Sequence, residues 1–200
     1  EQEAKQEDFS TVFLFNLAVA FGLYIILFFS APLISDFFRE PRLIAILRVL
    51  SLVLIINSFG LVQRVMLVRR IDFKTQTKIN IAASVTSGII AIILAYFGFG
   101  VWSLVIRTLT MQFLVAFLLS ISNKWKPSLA FSFHSFKRLF KFGSRLLVSG
   151  LINTVYMNIY YVIIGRFFSA TDLGYFSNGK KLEEVASKAV SASLDRKSVV

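Results

Sequence analysis

Residues 79–122 read INIAASVTSGIIAIILAYFGFGVWSLVIRTLTMQFLVAFLLSIS, and they decide the fold. Two apolar runs, about Ile79–Phe97 and Val101–Ser122, flank a glycine pair, Gly98 and Gly100. Each run is long enough for a helix to cross a hydrocarbon core, which takes about 20 residues. Neither run contains an acid. Nor do they alternate apolar and polar with period two, as outer-membrane barrel strands would. Tyr96, Phe97, Phe99 and Trp102 surround the glycines. Amphipathic rings favour the headgroup level, so the GFG reads as a tight turn at the membrane surface. The stretch predicts two membrane-spanning helices joined back to back.

The rest of the chain repeats the pattern. Further spans are expected at about 11–35, 43–62 and 146–168, all within a span-bearing region 1–168. Residues 171–200 are expected to start a further, truncated helix, which carries Lys180, Lys181, Glu183 and Glu184. The composition agrees. The 200 residues are 56% hydrophobic and only 16% charged, against about 45–50% and 25% in soluble domains. The fold class read from this is an all-α polytopic membrane protein. There are no cysteines, which excludes disulfides and thiolate chemistry. The opening EQEAKQED lacks a signal-peptide pattern, and LDRKSVV does not close a helix. Both ends read as cut, so a fragment of a longer protein is expected.

The formal net charge is +11. It gathers in two connecting stretches. One holds Arg64, Arg69, Arg70, Lys74 and Lys78, and the other Lys124, Lys126, Lys137, Arg138, Lys141 and Arg145. If each span crosses once, both stretches lie on one side. The charge-balanced SDFFREPR (Ser35–Arg42) and the neutral GFG lie on the other. This is the positive-inside pattern, and it puts the N-terminus and both basic stretches in the cytoplasm. Nucleic-acid binding is disfavoured, because the basic stretches lie against anionic headgroups. Within the second stretch, Phe133, Phe136 and Phe140 fall on one helical face, as in a helix lying in the interface and leading into the fifth span.

Catalytic signatures are missing. The lone histidine, His134, has no cluster of ligands around it in sequence, and no glycine-rich phosphate loop precedes a helix. No enzyme activity and no cofactor or metal is expected. The five spans lack the internal carboxylates that proton or sodium relays use. Arginines are the better clue. Arg48 and Arg107 each lie about a turn and a half to two turns inside a span. A guanidinium there either snorkels to the interface or faces a cavity, where it can grip phosphate oxygens bidentately. Asn153, Asn158 and Tyr160, with Lys180 and Lys181, complete the candidate substrate-binding set. Asn and Tyr suit sugar hydroxyls, and equally serve as hydrogen bonds between helices.

Several runs resemble a known family: LVQRVMLVRRIDFKTQTKIN, YFGFGVWSLVIR, KWKPSLAFS, LFKFGSRLLVSGLIN and YYVIIGRFFSATDLGYFSNGKKL. In order and spacing they are similar to lipid-linked oligosaccharide flippases of the polysaccharide-export family, within the multidrug/oligosaccharidyl-lipid/polysaccharide superfamily. The carrying motifs are Asp72–Lys74, Gly98–Trp102, Lys126 with Pro127, and Ile164–Phe176. The resemblance implies a multidrug-extruder-like bundle of about twelve or more helices, of which this chain would be spans three to seven and the start of eight. It implies movement of a polyprenyl-diphosphate-linked oligosaccharide across the bacterial inner membrane for lipopolysaccharide or exopolysaccharide assembly. It implies membrane lipids, a polysaccharide polymerase and glycosyltransferases as partners. Two other readings remain: an exporter of drugs or other small molecules on the same fold, and a membrane glycosyltransferase or polymerase.

Overall fold

The computed structural model describes residues 6–123 and 132–195. The side chains of Glu7, His134, Ser135, Arg138, Leu139, Lys141, Phe142, Arg145 and residues 188–195 are not among those described. The expectations for Lys124, Lys126 and Pro127 therefore lie outside the described residues, as do those for the side chains of Arg138, Lys141 and Arg145.

The described residues form helices only: α1 (Gln6–Phe38), α2 (Leu43–Leu50), α3 (Leu52–Arg69), α4 (Phe73–Tyr96), α5 (Val101–Ser122), α6 (Phe133–Phe167) and α7 (Ala170–Asp195). Among the described residues, five segments are long and apolar enough to cross a membrane: Asp8–Phe38, Leu43–Arg69, Phe73–Tyr96, Val101–Ser122 and Leu146–Phe167. The second comprises α2 and α3, which meet at Ser51. There the Ser51 N–H still donates to Leu47 O at 2.9 Å, but Leu54 N–H reaches back only three residues, to Ser51 O, at 3.0 Å. The span is thus one rod with a tightened turn in it.

The chain divides into two compact units, Glu1–Asp36 with Glu40–Phe142, and Phe37–Arg39 with Gly143–Val200. In the first, α4 carries a stripe of mostly small residues at four-residue spacing, Ile79, Ala83, Ser87 and Ala91, all buried. Small side chains let helix backbones approach closely where lipid offers no hydrophobic drive. The core gathers Leu67 of α3, Ile79 and Ala83 of α4, and Val115 and Leu119 of α5. Gly60 does the same for α3 and α5, since a Cβ there would sit 3.3 Å from Ala116 Cα. On the α1 side, Phe13 meets Phe59 edge-on at 5.8 Å.

The connections are short because their residues stop helices well. Gly98 at φ 83° and Gly100 at φ 53°, ψ −124° turn the chain between α4 and α5. The second conformation is open essentially to glycine alone. The α3–α4 junction does the same with other residues. Asp72 N–H closes back on Leu67 O at 3.0 Å, around Ile71 at φ 56°, a Schellman-type end without its usual glycine. Asp72 then caps α4, its carboxylate accepting from Thr75 N–H at 3.1 Å. Arg64 and Arg69 therefore sit on α3, Lys74 and Lys78 on the first turns of α4, and only Arg70–Asp72 lie between helices. The stretch that hydropathy reads as a sixteen-residue loop is two helix ends and a three-residue turn.

The Phe133, Phe136 and Phe140 face is the start of a single 35-residue helix, α6. Phe136 stacks on Phe140 at 5.3 Å, and Phe15 of α1 meets both, at 4.8 Å and 6.1 Å. Part of this apolar face is thus covered by protein. In the second unit, α6 meets α7 through Tyr161 and Phe176 at 5.3 Å. Ser169 and Asp172 form a reciprocal capping box on α7.

Candidate functional site

Arg48 is engaged by α1. Its guanidinium lies 4.4 Å from the Phe28 ring centroid, and its Nε donates to Phe28 O at 3.3 Å. That carbonyl needs a donor. Its helical partner four residues on is Pro32, inside α1, and proline has no N–H. Arg48 supplies the missing donor from another helix. An unmet carbonyl is expensive where no water is present, so a large part of this arginine's role is to complete the backbone of α1.

Arg107 is different. It is exposed, six residues into α5, and among the described residues no hydrogen bond, ion pair or ring stack is formed by it. It remains a candidate for an anionic ligand.

A third arginine was read from sequence only as part of a basic connection. Arg64 lines a cleft of about 220 Å³ between α3 and α5, with Asn57, Gly60, Leu61, Gln112, Val115 and Ala116. Asn57, Leu61 and Arg64 fall at helical positions i, i+4 and i+7, so they line one face. The i, i+3, i+4, i+7 spacing of Asn57, Gly60, Leu61 and Arg64 was legible in the sequence, but apolar neighbours diluted it. Gln112 answers from α5. A second cavity, about 300 Å³, is lined by Phe9, Met66, Arg69 and Arg70. Arg69 stacks on Phe9 there at 5.5 Å.

Acids are scarce on α3, α4 and α5. Between residues 43 and 123 the sequence holds one carboxylate, Asp72. Asp72 is committed to its cap, and the hydrogen bonds from Thr75 hold its pKa below the usual carboxylate value. Deeper in the same unit, Asn123 Nδ2 donates to Gln63 O at 2.8 Å, which ties the end of α5 to α3. Among the described residues, the Oε1 of Gln63 and Oδ1 of Asn123 are buried without a hydrogen-bond partner.

The remaining predicted site residues lie on the second unit. Asn153, Asn158 and Tyr160 are exposed on α6. The Asn158 amide donates to Thr154 O of its own helix at 2.8 Å. On α7, Lys180 pairs with Glu183 at 2.8 Å, while Lys181 is exposed. Among the described residues no group of His, Cys, Asp or Glu is arranged to hold a metal ion.

Five helices of spanning length and apolarity make this a multi-pass α-helical membrane protein. Residues 1–199 match the family described as polysaccharide biosynthesis protein, and the chain belongs to it. It is 28% identical over 177 residues to the teichuronic acid biosynthesis protein TuaB of Bacillus subtilis (strain 168), covering 88% of this chain and 37% of that protein. It is 25% identical over 190 residues to the succinoglycan biosynthesis transport protein ExoT of Rhizobium meliloti (strain 1021), covering 95% of this chain and 38% of that protein. The chain thus spans less than two-fifths of the length of these curated relatives. No solved structure matches it.

Proposed function

We propose that this chain is part of a bacterial transporter, not an enzyme, that serves polysaccharide export. Its cargo would be a polyprenyl-diphosphate-linked oligosaccharide, moved from the cytoplasmic to the periplasmic leaflet of the inner membrane. The observation that carries the reading is family membership over nearly the whole chain, together with a relative named as a succinoglycan transport protein. The spans add support. Their interiors offer arginine and amides, and arginine binds phosphate oxygens as a fork. The N-terminus and the α3–α4 turn would face the cytoplasm, by the charge of Arg64, Arg69, Arg70, Lys74 and Lys78. Polymerase and glycosyltransferases would be the neighbouring partners, supplying and consuming the lipid-linked glycan.

Arg107 would be the phosphate contact, since it is not committed to its own fold as Arg48 is. The test is complementation of a strain lacking the full-length protein. Arg107→Ala at normal membrane abundance is expected to cut surface polysaccharide at least tenfold, and Arg107→Lys by less. Wild-type export by Arg107→Ala would remove Arg107 from the pathway. Intact polysaccharide in the deletion strain, with loss of drug efflux, would replace the cargo altogether.

A further inference from the structure

We propose that the α3–α5 cleft is a binding site for the phosphate headgroup of a membrane lipid. Its lining joins one guanidinium, Arg64, to two carboxamides, Asn57 and Gln112, over a floor of Gly60, Val115 and Ala116. The floor is low because Gly60 has no side chain where α3 meets Ala116. Arginine brings donors in a rigid fork that fits phosphate oxygens, and each carboxamide adds two more N–H donors. Acceptors that would suit a cation are fewer, and the one acid between residues 43 and 123, Asp72, is spent on its cap. At about 220 Å³ the cleft suits a phosphate or diphosphate. It falls below the roughly 300–1,000 Å³ of sites that enclose drug-sized ligands, so an oligosaccharide would remain outside.

The setting makes the phosphate a lipid's. Arg64 is five residues from the end of α3, a depth of about 7.5 Å at about 1.5 Å per residue, and Asn57 lies two turns deeper. On the same two helices, Leu61, which lines the cleft, and Val65, Phe113 and Phe117 are exposed apolar side chains. Phe113 and Phe117 stack in parallel at 5.9 Å. A hydrocarbon chain can lie on that surface while its headgroup sits against Arg64. The lipid could be a bulk anionic phospholipid or a polyprenyl phosphate carrier. The second source rests on the export reading, the first does not.

The test uses the full-length protein in detergent, with native mass spectrometry of bound undecaprenyl phosphate, dioleoylphosphatidylglycerol and inorganic phosphate. Arg64→Gln and Gln112→Ala are each expected to lower lipid retention, Arg64→Gln by about tenfold or more, with Arg64→Lys between it and wild type. Arg42→Gln, outside the cleft, should retain lipid as wild type does. Loss confined to undecaprenyl phosphate marks a carrier site. Loss of both lipids marks a general phosphate-lipid site that stands even if export fails. Equal retention by Arg64→Gln and Arg42→Gln overturns the proposal. An independent reading comes from Asn57→Cys on a background without other cysteines. Its maleimide labelling should be fast in lipid-free detergent and slowed by undecaprenyl phosphate or phosphatidylglycerol. A thiol that is unreactive without lipid means that another part of the protein fills the cleft, which also overturns it.

Discussion

α5 and the spanning part of α6 are both 22 residues long, and both are apolar enough to cross a bilayer, yet they are built for different neighbours. In α5, 22% of the most apolar window is buried within the structure, and in α6 none is. The α6 span is the less apolar of the two, and its side chains also differ in size. Gly60 of α3 lies against Ala116 of α5, and α4 buries Ala83, Ser87 and Ala91, small residues that let backbones come together. The α6 span presents Asn153, Thr154, Tyr156, Asn158 and Tyr160, large or polar and mostly exposed. Apolarity decides that a helix enters the membrane, while side-chain size decides what it can press against.

A glycine pair breaks that comparison most sharply. Gly60 has Ala116 against it, whereas Gly150 on α6 has nothing within 4 Å among the described residues. Gly60→Leu is expected to destabilise the first unit by about 2 kcal/mol or more through overpacking. Gly150→Leu should stay within about 0.5 kcal/mol, as at other open positions. Unfolding in mixed micelles, followed by circular dichroism, measures both. Equal losses would mean that Gly150 also has a close neighbour.

Arg48 gives the next effect. Arg48→Ala strands the Phe28 carbonyl and is expected to cost about 1–2 kcal/mol, the penalty for a buried acceptor left unmet. Pro32→Ala restores the backbone donor. In that background Arg48→Ala should lose about 1 kcal/mol less, a coupling that a double-mutant cycle reads directly. Full additivity would show that Arg48 is not there for the proline.

The smallest effect is the cap. Asp72 has a pKa held low, first by the Thr75 backbone hydrogen bond. A depressed carboxylate contributes stability that is present above its unfolded pKa of about 3.9 and is lost as pH falls through the lower folded value. Asp72→Ala should lower stability slightly at neutral pH, Asp72→Asn less so, and both should flatten the acid limb below pH 4. Asp172, held low by Ser169 at the start of α7, should behave alike.

The number and order of the spans were legible because about 20 apolar residues have few other uses. The helix ends were not. Hydropathy falls at Gln63 and Arg64, but polar side chains such as Gln, Arg and Lys are good helix formers, so α3 runs on to Arg69 and α4 begins at Phe73. The Arg48–Pro32 relation was hidden for another reason. It joins residues on separate helices through a missing N–H, and no residue pattern marks an absence. Arg64 was counted as charge alone, because its partners Asn57 and Gln112 lie one on its own helix and one on α5.

The short turns have a consequence in time. Three residues separate α3 from α4, and four separate α4 from α5. The core draws Leu67, Ile79, Ala83, Val115 and Leu119 from these three successive helices. Little loop entropy opposes such contacts, and local contacts form fast. As the chain leaves the ribosome, these three helices can meet once Ser122 has emerged from it. They would then stand as a finished wall before α7 is there to be placed.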